Sequence, residues 1–374
     1  MIDVQELRHT LLQYFERYPV MQFRDMVKMI YQNEFAGGHL ITNEIDSLSR
    51  LREECGALIE HTCVTQGSCL FEDIGNELCR LHLGKLLSLN TDISLETVNR
   101  FFISTANSVS GSIESFEEKI DVLRQCCRNK ELPYLIEDVD AYLVHYKNMG
   151  YPAVSHSETY RQAYCPSYRI VKSEYKHYFE LFCKIDLLLS ERETVNVAID
   201  GNSGAGKSTL ASLIGSVYDS NIFHMDDFFL RPEIRTKERL EEIGGNVDYV
   251  RFKDEVLYGL KSGREFQYQA YDCGQMALSE QTTVVPTRLN IIEGSYSLHP
   301  TLADHYDLKV FLQIDEKEQS SRILKRNGAF MHKRFLNEWI PLENQYFSGM
   351  KIKEQCDLVY LTTSPDQSRI PPKS

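Results

Sequence analysis

The 374-residue chain has no run approaching the 18 or more apolar residues that a membrane span needs, so no membrane partner is expected. It has no surplus of positive charge either: 41 Lys and Arg stand against 54 Asp and Glu, a formal charge of -13. Nucleic acid requires a concentrated Lys/Arg surface, so no nucleic-acid partner is expected and any affinity for phosphate has to be local. The start, Met1-Ile-Asp-Val-Gln-Glu, lacks the basic-then-apolar order of a secretory signal, which makes the cytoplasm the expected location. Metal spacing is missing among the ten cysteines, which are scattered apart from the adjacent Cys126 and Cys127 and are expected to be reduced. There is no internal repeat and no low-complexity segment. What remains, 42% hydrophobic and 25% charged residues, is the composition of an ordinary globular protein with enough chain for two domains.

From Leu7 to about Tyr146 the apolar spacing is helical. Phe23, Met26, Val27, Ile30 and Tyr31 form one stripe, and Ile113, Phe116, Ile120 and Leu123 another. Thr91-Asp-Ile-Ser and Ser110-Gly-Ser-Ile-Glu-Ser place capping side chains at helix entries. Residues 1–149 are therefore expected to form an all-α domain. Between Gly150 and Arg169 the pattern turns to Pro, Ser, His and Tyr, and residues 150–192 are read as a linker and a connecting helix. Beyond them, strand-like pieces (195–199, 221–225, 289–292, 308–314, 358–361) alternate with helix-like ones (249–260, 316–325, 332–347). Such alternation predicts an α/β domain over 193–364, a parallel sheet with helices on both faces, whose ligands sit at the carboxyl ends of the strands. Residues 365–374 are read as a loose tail.

Gly201-Asn-Ser-Gly-Ala-Gly-Lys-Ser208 is a complete G-x-x-x-x-G-K-[ST] loop. It follows the β-branched run Val195–Ile199 and precedes Leu210, Leu213, Ile214 and Val217, a helical stripe. Strand, glycine loop and helix are the context in which the backbone N–H groups of Gly201, Asn202, Ser203, Gly204, Ala205 and Gly206 can curl around phosphate at a helix N-terminus. Lys207 would reach the β- and γ-phosphates of ATP, Ser208 would ligate Mg2+, and Thr209 would continue the first helical turn.

The second expected strand ends in His224-Met-Asp226-Asp227-Phe-Phe229. A carboxylate just past a strand end beside a phosphate loop can take the proton of an acceptor hydroxyl, and Asp226 is assigned that role; Asp227 caps the next segment or supports Mg2+. Leu289-Asn-Ile-Ile ends in Glu293, placed to hold Mg2+ or its water, and the Gly294 that follows favours transfer over hydrolysis. Arg322 and Arg326, one helical turn apart before Asn327-Gly328, are candidates for a lid over the transferring phosphate. Asp248, Tyr271 and Asp272 lie in two stretches that either recognise an acceptor or serve as core packing and caps.

Taken together, Thr194–Leu361 resembles the uridine kinase and phosphoribulokinase group of phosphate-loop kinases. The resemblance rests on Gly201–Ser208, Asp226-Asp-Phe-Phe229, Asn246-Val-Asp248, Tyr271-Asp272, Glu293-Gly294 and the arginines 322 and 326. It implies that Asp226 is the general base, that Asp248 contacts acceptor hydroxyls, that Tyr271-Asp272 frames the acceptor and that the arginines form the lid. The implied function is transfer of the ATP γ-phosphoryl group, with Mg2+, to a small-molecule hydroxyl acceptor such as a nucleoside. The alternatives are a sugar or other alcohol as acceptor, or an ATP-responsive regulator that phosphorylates nothing. Homo-oligomerisation is left open. In the amino-terminal region, Asn33-Glu34, Gly38-His39, Glu72-Asp73 and the Ser155–Arg169 segment stand out, either as a second ligand pocket, as a metal site or as plain helical scaffold.

Overall fold

The computed structural model describes residues 4–38, 40–60 and 69–362; His39 and the tail 365–374 lie outside them. The chain divides into two compact units, Met1–Cys183 and Lys184–Ser374.

The first unit is built mainly of helices: α1 (Val4–Arg17), α2 (Phe23–Phe35), α3 (Glu44–Glu60), then, after two strands, α4 (Leu83–Leu89), α5 (Leu95–Ser108), α6 (Ile113–Arg128), α7 (Ile136–Asn148), α8 (Glu158–Tyr164) and α9 (Ser173–His177). The expected stripes pack as one core, with Met26, Val27, Ile30, Phe116 and Leu123 fully buried. Both expected helix entries are capped. Ser94 accepts the N–H of Thr97 and Ser112 that of Ser115, each cap stabilising its helix by about 1 kcal/mol.

The helical reading did not include a small antiparallel sheet, β1 (Phe71–Gly75), β2 (Leu78–His82) and β3 (Tyr168–Lys172), with β2 in the middle. β1 and β2 are joined by a tight turn in which Asn76 and Glu77 both take φ +56°. β3 pairs with β2 along its whole length, so the segment read as a linker is folded into the first unit as far as Cys183. Part of the Pro/Ser/His/Tyr segment that suggests a connection belongs to a sheet edge and to α8.

α10 (Phe179–Glu191), within which the division falls, is followed by the second unit. Its strands β4 (Val195–Gly201), β5 (Ser220–His224), β8 (Leu289–Glu293), β9 (Leu308–Gln313) and β10 (Leu358–Leu361) form one parallel sheet in the order β10-β9-β4-β8-β5. β9, β4 and β8 are the interior strands, and their β-branched and apolar side chains are buried on both faces, as expected for a sheet covered by helices. The helices are α11 (Lys207–Gly215), α12 (Lys237–Glu241), α13 (Tyr249–Phe252), α14 (Tyr258–Ser262), α15 (Glu316–Arg334) and α16 (Ile340–Gly349). Phe223, Ile292 and Phe311 anchor a core in which truncation to alanine costs about 2–5 kcal/mol.

One feature differs from expectation: β6 (Phe266–Asp272) and β7 (Ala277–Val284) form a separate antiparallel hairpin. The expected stop at Asn327-Gly328 is present, because Gly328 takes the non-helical φ +73°, ψ 171° and divides α15 into two helical segments.

Candidate active site at the phosphate loop

Gly201 ends the central strand and turns the chain into the loop at φ +139°; a Cβ there would lie 2.0 Å from the carbonyl oxygen of Leu312 on β9, so only glycine fits. Asn202 N–H donates to the same carbonyl at 3.1 Å, fixing the loop to the sheet edge. Gly206 takes φ +96° and caps α11, and a Cβ there would meet nothing within 4 Å, leaving an open cradle over the helix N-terminus. Lys207 Nζ donates to Gly201 O (2.8 Å), Asn202 O (3.2 Å) and Ser295 Oγ (3.2 Å). Thr209 lies in the first turn of α11.

Glu293 closes β8, where the sheet register sets it beside Ile199 of β4 and His224 of β5. Its Oε1 accepts from Ser208 Oγ at 3.0 Å and from His224 Nδ1 at 2.5 Å. The bond to Glu293 is the main reason the His224 pKa is raised, which makes the imidazole a donor to the carboxylate. Among the described residues, no group of three or more His, Cys, Asp or Glu side chains is placed to hold a metal by itself. Mg2+ bound with a nucleotide needs only one or two protein oxygens beside phosphates and water, and Ser208 with Glu293 fits that requirement.

Asp226 sits in the short 3-10 turn Met225–Phe228 directly after β5, with an exposed side chain. Its pKa is raised, first by the loss of solvent at the recessed strand edge, then by the like charges of Glu293 and Glu343, while Lys207 and His224 oppose the shift. Lys207, Ser208, Asp226 and Glu293 are thus gathered in one electrostatic neighbourhood. Arg322 belongs to it as well: Nη1 donates to the loop carbonyl of Gly204 at 3.4 Å and Nε to Glu318 at 2.8 Å. Arg326 is bonded instead to Asn327 Oδ1 (2.8 Å), with its guanidinium 5.9 Å from the Phe335 ring.

The acceptor candidates are placed unevenly. Asp248 N–H donates to Phe228 O at 2.7 Å, which sets it against the turn carrying Asp226, and its Oδ1 caps α13 by accepting from Arg251 N–H at 3.1 Å. Arg251 lies 4.3 Å over the Phe228 ring and donates to Asp227 O at 2.8 Å. Tyr271 is buried, and Asp272 Oδ1 accepts from Gly274 N–H (2.7 Å) and Gln275 N–H (3.1 Å), shaping the β6–β7 turn. In the same hairpin Phe266 and Tyr268 stack on Phe223 and Phe228, so much of this stretch is core packing and turn formation.

Three participants were given no role from the sequence. Asp200, fully buried before Gly201, accepts from Gly201 N–H (2.7 Å), Leu298 N–H (3.0 Å) and Tyr346 Oη (2.8 Å). Burial pushes its pKa up to about 6 against the pull of those bonds and of Lys207. His224 stood inside the Asp226 motif, and only the sheet register reveals its partner. Glu343, on α16, accepts from Ser203 N–H (3.0 Å), Ser203 Oγ (2.5 Å) and Ser295 Oγ (2.7 Å).

A parallel sheet with a G-x-x-x-x-G-K-S loop leaving its central strand defines a phosphate-loop kinase-like fold in the second unit. Among solved structures, the chain is similar to one described as a "possible uridine kinase" from Bacillus stearothermophilus (21% identity, TM-score 0.36, 48% of this chain and 99% of that one). It is also similar to shikimate kinase from Bacteroides thetaiotaomicron (12% identity, TM-score 0.24, 45% and 86%). No protein-family model and no curated protein matches the sequence. The likenesses are distant, and the fold assignment rests on the chain's own topology and loop. No helix among the described residues is long and apolar enough to cross a membrane.

Proposed function

We propose that the second unit is a phosphotransferase of the uridine kinase-like type, which moves the γ-phosphoryl group of ATP to a hydroxyl of a nucleoside or similar small molecule. The observation that carries this reading is the placement of Asp226 in the same electrostatic neighbourhood as Lys207 and Glu293, at the carboxyl edge of adjacent parallel strands. ATP with Mg2+ supplies the phosphoryl group and neutralises its charge; Gly201–Thr209 would hold the phosphates, and Ser208 with Glu293 the metal.

Asp226 takes the proton of the acceptor hydroxyl. Its raised pKa makes it a stronger base than an ordinary aspartate, while the positive charge of Lys207 opposes the shift. Lys207 exchanges its carbonyl partners for phosphate oxygens, and Arg322, already at the loop carbonyl of Gly204, adds a second positive charge where negative charge develops. His224 holds the carboxylate of Glu293 in the orientation Ser208 shares. Asp248, whose backbone N–H bonds the Asp226 turn, would contact acceptor hydroxyls, as the resemblance implies. The test is ADP release with a pool of nucleosides, sugars and other alcohols, followed by mass detection of the phosphorylated product. Stimulation by no acceptor would refute the proposal.

A second reading, an ATP-responsive regulator, is favoured by one contact: Glu343 already bonds the loop amide of Ser203, so nucleotide entry would displace α16. In that case the same assay gives only a slow, acceptor-independent rate.

A further inference from the structure

The first unit has an open cavity of about 670 Å³, lined by α2, α3 and the segment running from Ala153 through β3. Its volume is that of a small-molecule site. Part of its wall is polar and unusually well ordered. The chain of hydrogen bonds starts at Asp25, fully buried on α2, whose Oδ1 meets His156 Nδ1 at 2.9 Å; His156 Nε2 meets the Tyr168 hydroxyl at 2.7 Å. Gln32 Nε2 donates to that hydroxyl at 3.1 Å, and Gln32 Oε1 accepts from Arg80 Nη2 at 2.6 Å. Arg80 is itself fully buried, lies 4.7 Å from the centre of the Tyr168 ring and donates to Glu72 at 3.2 Å. His156, Tyr168 and Gln32 line the cavity, while Asp25, Arg80 and Glu72 hold them from behind.

A scaffold does not need this arrangement. Burying an ion pair is often no better than an apolar core of the same volume, so a satisfied polar network behind a cavity wall is the construction of a fixed recognition surface. The charge at the cavity has a sign. Lys28, Arg50 and Arg169 line it against Asp46 and Glu54, in a chain whose formal charge is -13. Arg169 is paired with Glu54, whereas Lys28 Nζ donates only to a backbone carbonyl, that of Val154, and Arg50 has no partner among the described residues. Burial with Arg80 and Arg161 nearby lowers the Lys28 pKa to about 8, so an anion beside it would relieve that cost. Tyr31, Phe102 and Tyr168 add aromatic faces.

We propose that this cavity is a binding site for a small organic anion with a planar ring, its acid group received by Lys28 and Arg50 and its ring by the aromatic wall that Tyr168 and Gln32 complete. The site is independent of the phosphate loop and of the reading given to it.

The full-length protein is titrated with phenyl phosphate and with benzoate, using inorganic phosphate and benzamide as controls, and binding is followed by ligand-observed NMR. The expected result is saturable binding of at least one of the two aromatic acids, at least about 10-fold tighter than that of its control. Arg50→Gln and Tyr168→Phe should each weaken it about 10-fold, and Lys207→Ala should leave it unchanged. Arg50 is exposed and Tyr168→Phe keeps the ring, so both variants should fold, which an unchanged far-UV circular dichroism spectrum verifies. No saturable binding of either acid, equal binding of benzamide, or indifference to both cavity substitutions would overturn the proposal. Loss in Lys207→Ala would place the anion at the phosphate loop and overturn it as well.

Discussion

The carboxylate of Glu343 accepts the backbone N–H of Ser203 at 3.0 Å, so an acidic side chain holds one of the donors that the glycine loop offers to phosphate. A phosphate and Glu343 compete for these donors, and two anions at one place repel. Glu343→Gln keeps the size of the side chain and removes its charge. ATP affinity is expected to rise roughly 10-fold, the scale of a charge-assisted hydrogen bond worth about 1.5 kcal/mol. Isothermal titration decides; unchanged or weaker binding would make Glu343 a support of the loop and not a competitor.

Asp226→Asn removes the proposed proton acceptor but leaves a side chain of the same shape at an exposed position, so the fold should persist. Turnover with the best acceptor is expected to fall by about 10²–10⁴ with little change in the apparent affinity for ATP. Lys207→Ala should lower both. Steady-state kinetics on variants checked by circular dichroism separates the two, and full activity of purified Asp226→Asn would remove the base assignment.

The pH dependence has a definite sign. Asp226 must be ionised to take a proton, and its pKa lies above the ordinary value of 3.8 through lost solvent and the nearby Glu293 and Glu343 charges. The acid limb of kcat/KM should therefore set in above the usual aspartate range, and Glu343→Gln should shift it downward. The His224–Glu293 pair acts in the opposite direction. His224 has a raised pKa, so its stabilising contribution is complete below the unfolded value of 6.5 and is lost as pH rises through the folded one. Holding a pH series of kcat/KM against a pH series of thermal unfolding tests both signs, and an acid limb unmoved by Glu343→Gln would count against the coupling.

The loop and its strand were legible because Gly201, Gly206 and Lys207 carry their chemistry in the local sequence: two backbone conformations and one charge, bounded by a β-branched run and a helical stripe. Glu293 was legible for the same reason, as an acid ending an apolar strand. Glu343 was not, since it reaches Ser203 from 140 positions away and nothing in its neighbourhood marks it. The β1–β2–β3 sheet escaped because β2, Leu78-Cys-Arg-Leu-His82, is buried on both faces and so shows no alternation, with Arg80 at its centre reading as a surface residue. Tyr168 and His156 stood out by composition alone. His156 meets Asp25 and Tyr168 meets His156 and Gln32, contacts between distant segments that no local pattern announces. Asp272 is a polar residue in a suggestive motif that also shapes a hairpin turn.

Arg80 offers the sharpest stability test in the first unit. Its guanidinium is fully buried between Tyr14 and Tyr168 and faces Glu72, which is 3% exposed. Burial would raise the Glu72 pKa, but Arg80, His82 and Arg17 more than offset it and hold the carboxyl down at about 2. Arg80→Met leaves Glu72 with only part of its compensation, and removing one partner of a buried pair is expected to cost about 3–5 kcal/mol. The depressed pKa means that the ionised carboxylate stabilises the fold above the unfolded value of 4.5, and that this contribution is lost as pH falls from 4.5 toward 2. The loss amounts to roughly 3 kcal/mol at 1.36 kcal/mol per unit. Urea unfolding at pH 7 and at pH 3 should show a large difference in the wild type and a smaller one in Arg80→Met, because the variant has already lost the main charge that keeps Glu72 ionised. Equal differences in the two proteins would mean that Glu72 owes its ionisation to Arg17 and His82 instead.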